Sequence, residues 1–297
     1  MRSLVLLFIS CLTFLAGGVA NASAATCMNA VATIVGTPGD DRIVGTPGAD
    51  AIATGAGDDV IRGLGGNDLI CSGRGDDRVR GGIARDTVKG GTGDDLIIGG
   101  DGRDALVGGD GSDDVRGGPG EDRLWDGRGA DVVHGGPQSD EANANGPGDD
   151  RVLTGPGRDS ISDGAGDDVY STGKGDDNLL LIAGGEDVFG GGPGRDRIGF
   201  SLDGPVVIVL GAVQGPGSGI GPDIIEEVET VIGTIGDDTV IGDAADNYLN
   251  GLEGDDHLEG GDGDDLLDGF DGLDFLDGGN GTDECLGGET VLNCEGP

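Results

Sequence analysis

Aromatic residues are almost missing from this sequence: 297 residues include one tryptophan, two tyrosines and six phenylalanines. Positive charge is also scarce, with 17 Lys and Arg against 57 Asp and Glu and a formal net charge of -40. So little apolar surface and so much self-repulsion exclude an ordinary self-sufficient core, and the composition alone reads as disorder. The acidity disfavours nucleic acid as a partner. Only two histidines are present, His134 and His257, far apart and both in strand-like segments, so a zinc centre is disfavoured. Neither H-E-x-x-H nor G-x-S-x-G occurs; Pro216 stands where the second motif would need glycine before Ser218. Beyond the first 24 residues nothing approaches the roughly 18 apolar residues of a membrane span.

What is abundant is glycine, 68 residues of it, locked into one phase. From Gly36 the chain divides into nonapeptides such as GTPGDDRIV, TGAGDDVIR, GGTGDDLII, GGDGRDALV and GGDGSDDVR. In the first twelve repeats the sixth position is Asp and the eighth is Ile, Val or Leu, once Ala142. One-residue slips near Ala144 and Leu181 shift the phase before the first block ends at Gly199. The pattern returns from Gly233 as GTIGDDTVI, GDAADNYLN, GLEGDDHLE, GGDGDDLLD, GFDGLDFLD and GGNGTDECL, with Asn247 in place of one Asp. A fixed period argues against disorder, because solvated polar tracts need none.

Each nonapeptide reads as a turn followed by a short strand. Glycines at the first, second and fourth positions permit a tight turn, and the β-branched or leucine residue at the eighth points inward between outward neighbours. A turn every nine residues sends successive strands to opposite sides, so two repeats make one coil of about eighteen residues with a narrow core between parallel sheets. The sixth-position aspartates then stack along two edges. Asp41, Asp59, Asp77, Asp95, Asp113 and Asp131 fall on one, and Asp50, Asp68, Asp86, Asp104, Asp122 and Asp140 on the other. Asp150, Asp159, Asp168, Asp177, Asp187 and Asp196 continue the first block, and Asp238, Asp256, Asp265, Asp274 and Asp283 belong to the second. Carboxylates one strand spacing apart, roughly 4.8 Å, repel unless a cation lies between them. An all-oxygen cage of carboxylates and backbone carbonyls suits Ca2+ better than Mg2+, which demands tighter octahedral geometry.

The pattern G-G-x-G-x-D-x-U-x resembles the RTX, or haemolysin-type, calcium-binding nonapeptide repeat, over half to three quarters of the chain. The resemblance implies an all-β fold, a right-handed parallel β-roll or β-solenoid with two strands per coil. It also implies multiple Ca2+ ions between successive turns, held by the sixth-position aspartates and turn carbonyls, and repeats that are unfolded without calcium. Ala84 and Gln138 replace a turn glycine, so the sites beside Asp86 and Asp140 are expected to be weak or empty. The two slips are expected to break the edge stacking, and Asn247 offers an oxygen without a charge.

Residues 1–24 read as an export signal: Arg2, the apolar run Leu4 to Leu15, then Ala22-Ser23-Ala24. With Cys11 removed, four cysteines remain, which allow three pairings. Cys27 with Cys71 and Cys285 with Cys294 are favoured because each pair brackets one end of the array. The expected organisation is a cap at 25–35, repeats at 36–199, an irregular β insertion at 200–232, repeats at 233–286 and a cap at 287–297. Within the insertion, Pro205 to Leu210 reads as a buried strand, Gly211 to Pro222 as a loop and Ile224 to Ile232 as an extended segment. Arg62, Arg80 and Arg116 are read as a solvated basic row on one sheet, and Trp125 lies on the other. One aromatic makes no carbohydrate platform.

The array is expected to leave no room for a catalytic domain, so the chain reads as a secreted, non-enzymatic, calcium-binding structural or interaction protein that folds on export. Its expected partners are calcium ions and a cell-envelope or matrix component, with no membrane insertion and no small-molecule substrate. The alternatives are a non-catalytic remnant or accessory part of an exported hydrolase or protease, and a cell-surface adhesin. An ice-binding solenoid would require regular threonine ladders on a flat face, which are absent.

Overall fold

The computed structural model describes residues 26–181, 187–200, 206–211 and 224–295. The export segment and nearly all of the loop expected at Gly211 to Pro222 lie outside the described residues.

Every nonapeptide in the regular region makes one short strand, and the glycine turn after it reverses the chain across the coil. Leu96–Asp101 therefore pairs not with its sequence neighbour Ala105–Asp110 but, in parallel, with Arg78–Ile83 one coil before and Asp114–Arg116 one coil after. Ala105–Asp110 does the same on the opposite side, between Thr87–Thr92 and Arg123–Arg128. Repeated along the chain, this builds a fourteen-stranded sheet from Ile34–Val35 to Glu284–Leu286. Facing it are a ten-stranded sheet from Arg42–Val44 to Ile224–Glu226 and a five-stranded sheet from Val207–Val209 to Thr290–Leu292. The protein is an all-β parallel solenoid with two strands per coil, and no helix occurs among the described residues.

The eighth-position side chains form the core. Ile52, Ile61, Ile70, Val79, Val88, Ile97 and Leu106 are fully or almost fully buried, and each stacks on its counterpart eighteen residues away, as Ile52 does on Ile70. Near the end of the first block the core takes rings instead, with Tyr170 stacked on Phe189 at 4.9 Å between centroids. The interior is one side chain wide on each side, so no ordinary globular core exists to absorb a misplaced coil.

The turn glycines are needed because L-residues resist their backbone conformation. Gly91 has φ +134°, and a Cβ there would lie 1.9 Å from the Gly73 carbonyl oxygen of the preceding coil. Ala84 adopts φ 80° and Gln138 φ 81°, so these replacements accept the left-handed backbone rather than remodelling the turn. Ala84→Gly is expected to stabilise the calcium-loaded protein by about 1 kcal/mol by relieving that strain, visible as a rise in thermal midpoint.

The slips do not break the edge stacking, contrary to the expectation from sequence. The coil lengthens by one residue instead. The Asp131 amide donates to Asp150 Oδ1 across nineteen residues at 2.8 Å, and Asp168 to Asp187 likewise at 2.8 Å. The surplus residues Ala144 and Leu181 turn inward and are buried, which keeps the strands on both sides in register.

The irregular segment also feeds both sheets. Val206, Ile208 and Leu210 are buried, as a buried strand requires. Val207–Val209 lies beside Thr239–Ile241, whereas Ile224–Glu226, later in the chain, lies beside Val188–Gly190. The two strands thus follow each other along the solenoid in the reverse of their sequence order, joined where the Gly211 amide donates to the Ile225 carbonyl at 2.8 Å. Ile224 to Ile232 is not one extended segment: Glu227 takes φ 55°, and the chain turns before Thr230–Ile232 rejoins the long sheet.

At the N-terminal end, Thr26–Cys27 and Ala30–Val31 form an antiparallel hairpin, tied by a Cys27–Cys71 disulfide with Cα atoms 5.6 Å apart. At the other end Cys285 is bonded to Cys294, with Cα atoms 5.9 Å apart.

Candidate metal centre

The turns bring the sixth-position aspartates to the two edges with their carboxylates inward. From Asp59 onward all the candidate aspartates are buried, none more than 3% exposed, while Asp41 and Asp50 in the first coil are partly exposed. Each backbone amide donates to the carboxylate one coil ahead: Asp59 to Asp77 at 2.7 Å, Asp77 to Asp95 at 2.9 Å and Asp95 to Asp113 at 2.8 Å. The opposite edge repeats the pattern, with Asp68 to Asp86, Asp86 to Asp104 and Asp104 to Asp122, each at 2.8 Å. The ladder runs past both replaced glycines, since Asp122 donates to Asp140 at 2.8 Å and Asp140 to Asp159 at 2.7 Å.

That amide satisfies Oδ1 and leaves Oδ2. The Oδ2 atoms of Asp59, Asp68, Asp77, Asp86, Asp95, Asp104, Asp113, Asp122, Asp131 and Asp140 are buried with no hydrogen-bond partner. The same holds for Asp150, Asp159, Asp177, Asp196, Asp256, Asp265, Asp274 and Asp283. A buried carboxylate oxygen without a donor is costly, and a column of them more so. Burial, reinforced by the carboxylates of adjacent coils and only partly offset by the donated amide, pushes Asp86, Asp95, Asp113, Asp122, Asp140 and Asp196 up to about 7. The same burial raises Asp159, Asp256 and Asp265 to about 6.

First-position glycines make the approach possible. A Cβ on Gly90 would sit 2.3 Å from Asp95 Oδ2 and 2.5 Å from the Gly108 carbonyl oxygen, so a carboxylate oxygen and a carbonyl oxygen crowd the same spot. Gly90→Ala is expected to destabilise the folded form by about 1–3 kcal/mol, read as a loss in thermal midpoint. The donor set of orphaned carboxylate and carbonyl oxygens fits a hard cation of flexible coordination.

Asp168 differs, its Oδ2 accepting from the Tyr170 hydroxyl at 3.0 Å, and three more candidates are served by threonines. Thr37 donates its amide to Asp41 Oδ2 at 2.6 Å, Thr46 to Asp50 Oδ2 at 2.6 Å and Thr234 to Asp238 Oδ2 at 2.6 Å, and each threonine hydroxyl adds a second bond. The signal was present in sequence: these are the three repeats that begin G-T. Asn247 keeps its place in the ladder, donating to Asp265 Oδ1 at 2.8 Å, while its own Oδ1 accepts the Asp243 amide at 2.9 Å.

Two ladder members carried no sequence signal. Glu229 Oε2 accepts the Asp196 amide at 2.7 Å, and Glu289 Oε2 accepts that of Asp274 at 2.8 Å. Both lie where the nonapeptide spacing fails, and the longer side chain reaches the position an aspartate holds elsewhere. A second, exposed ladder runs in the opposite sense through the fifth positions, the Asp76 amide donating to Asp58 Oδ1 at 3.0 Å and Asp94 to Asp76 at 2.9 Å.

The expected basic row is interrupted. Arg62 registers with Arg80, but Ile98 separates Arg80 from Arg116, whose guanidinium pairs with Asp114 at 2.6 Å. Trp125 lies on the other sheet, between Val107 and Asn143.

No curated protein matches the chain. Among solved structures it is similar to a hyperactive, Ca2+-dependent, beta-helical antifreeze protein from an Antarctic bacterium, at 18% identity and a TM-score of 0.34, over 84% of this chain and 83% of that one. The family model of the RTX calcium-binding nonapeptide repeat matches residues 35–70, 44–79, 72–106, 80–115, 107–142, 145–179, 227–258 and 250–285. These matches span well over half of the chain and coincide with the aspartate ladders, so the protein belongs to the RTX calcium-binding repeat family, and calcium is the cation its repeats take.

Proposed function

We propose that the chain is an exported, calcium-assembled β-roll with a structural or interaction role and no catalytic site of its own. The observation that carries this reading is the pair of inward carboxylate columns with orphaned Oδ2 atoms, which only cations or protons can neutralise. The ligands are the sixth-position aspartates with orphaned oxygens, aided by turn carbonyls; Asp41, Asp50 and Asp238 contribute less, because threonines already serve them, and so does Asp168, which Tyr170 serves. Calcium bound there supplies positive charge between coils that otherwise repel.

Two disulfides and an apolar N-terminal stretch support a role outside the cytoplasm. Extracellular calcium modules bind at about 10⁻⁴ to 10⁻³ M, so a chain held unfolded inside by low calcium assembles once exported. The acids have a structural use in the ladders, and no nucleophile–base pair is needed to explain them. Equilibrium dialysis of the mature chain is expected to find on the order of ten or more calcium ions per molecule, undiminished by excess magnesium. Uptake of one or two ions, or equal uptake of magnesium, would remove the basis of the reading.

A further inference from the structure

We propose, resting on the calcium reading of the ladders, that the divalent cation between Asp131 and Asp150 takes a third carboxylate, Asp126, from a position outside the repeat pattern. Asp126 stands at the first position of DGRGADVVH, where most repeats carry glycine. A first-position Cβ points at the sixth-position Oδ2 of its own repeat, 2.3 Å away at Gly117, so a side chain there is aimed into the carboxylate column.

Hydroxyl residues tolerate this position by donating to the next coil, as Thr54 does to the Ser72 carbonyl at 2.5 Å and Ser72 to the Gly90 carbonyl at 3.1 Å. A carboxylate cannot donate. Asp126 is 2% exposed, its Oδ1 takes the Gly127 amide at 2.5 Å, and its Oδ2 is left without a partner. The Oδ2 atoms of Asp131 and Asp150 are orphaned as well, and one carboxylate oxygen from each of the three lies within 4.8 Å of the other two. Three buried carboxylates at that spacing are costly unless a cation or a proton lies among them, and together they offer a cation three oxygens.

The arrangement recurs with one informative change. Asp163 also replaces a first-position glycine, and Asp163, Asp168 and Asp187 form the same kind of trio. In both places the coil that follows carries the surplus residue, Ala144 or Leu181, which enlarges the turn beside the extra carboxylate. In the second trio, however, the Tyr170 hydroxyl lies 2.8 Å from Asp163 Oδ1 and 3.0 Å from Asp168 Oδ2. The corresponding residue of the first trio is Val133, which offers no donor, and there the cation takes the place of the hydroxyl.

Trp125, the only tryptophan, precedes Asp126 and makes the site addressable. Terbium, a hard cation with calcium's preference for oxygen, is titrated into the calcium-free mature chain with tryptophan excitation, and calcium is then used to displace it. The wild type is expected to show a tight tryptophan-sensitised component that Asp126→Gly weakens by at least about tenfold, leaving only the weaker component of the neighbouring ladder sites, while circular dichroism in saturating calcium stays the same, because glycine restores the repeat's own residue. Asp126→Asn, which keeps the shape and removes a charge, covers the case in which the glycine variant fails to fold; it is expected to weaken that component by at least about tenfold. Titrations that overlay for wild type and Asp126→Asn would mean that the trio shares a proton instead, and would overturn this site alone. Absence of any terbium or calcium binding would overturn it together with the functional reading.

Discussion

Chelating calcium at neutral pH is expected to abolish the parallel-β circular dichroism signal in one cooperative transition, and calcium, but not magnesium, is expected to restore it. The magnitude follows from the columns. At about 5 Å and an effective dielectric of about 20, two adjacent carboxylates repel by about 3 kcal/mol. A domain is stable by only about 5–15 kcal/mol in total, so a few uncompensated neighbours exceed what the fold has in reserve. The ladders hold many such neighbours, buried and with orphaned oxygens. Cooperativity follows from the solenoid geometry, in which each coil contacts only the next and has no core of its own. Magnesium keeps its waters and its octahedral demands, neither of which suits carboxylate and carbonyl oxygens fixed by glycine turns. A β signal unmoved by chelator would mean that the columns are neutralised without metal at neutral pH.

Much of this architecture was legible because period and fold are one fact here. A side chain that recurs every nine residues inside a two-strand coil must stack, so the core column from Ile52 to Ala142 and the edge membership of the aspartates from Asp41 to Asp140 followed from counting. Counting failed where the count changes. At Ala144 and Leu181 an interrupted column was expected, but a turn can absorb one inward residue while the ladder bond stretches from eighteen to nineteen residues of separation. The reversed order of Val207–Val209 and Ile224–Glu226 had no periodic signature at all. Within the site, the sixth-position rule located the carboxylates but not which of their oxygens lacked a partner. That depends on the threonines at 37, 46 and 234, on Tyr170 and on Asp126, all departures from the consensus rather than instances of it.

Acid should replace calcium. In chelator, the β signal absent at pH 7.5 is expected to reappear on acidification towards pH 4. The ordinary carboxylate value is 3.8, and in the folded roll Asp86, Asp95, Asp113, Asp122, Asp140 and Asp196 are pushed up to about 7, chiefly by burial. Between those limits the folded chain binds more protons than the unfolded one, so stability falls as pH rises. The contribution is fully present below 3.8 and is lost as pH climbs through about 7, the reverse of an ion-paired aspartate. Protonation also reduces the net charge of -40, which acts in the same direction. Calcium inverts the dependence, because it binds only the ionised carboxylates: its apparent midpoint should rise as pH falls, protons and metal competing for the same oxygens. Circular dichroism across pH 4 to 8, with and without calcium, separates the two neutralisers. If the chelated chain stayed unfolded at pH 4, charge in the columns would not be what keeps it open, and calcium would have to act through the geometry of its coordination rather than through neutralisation.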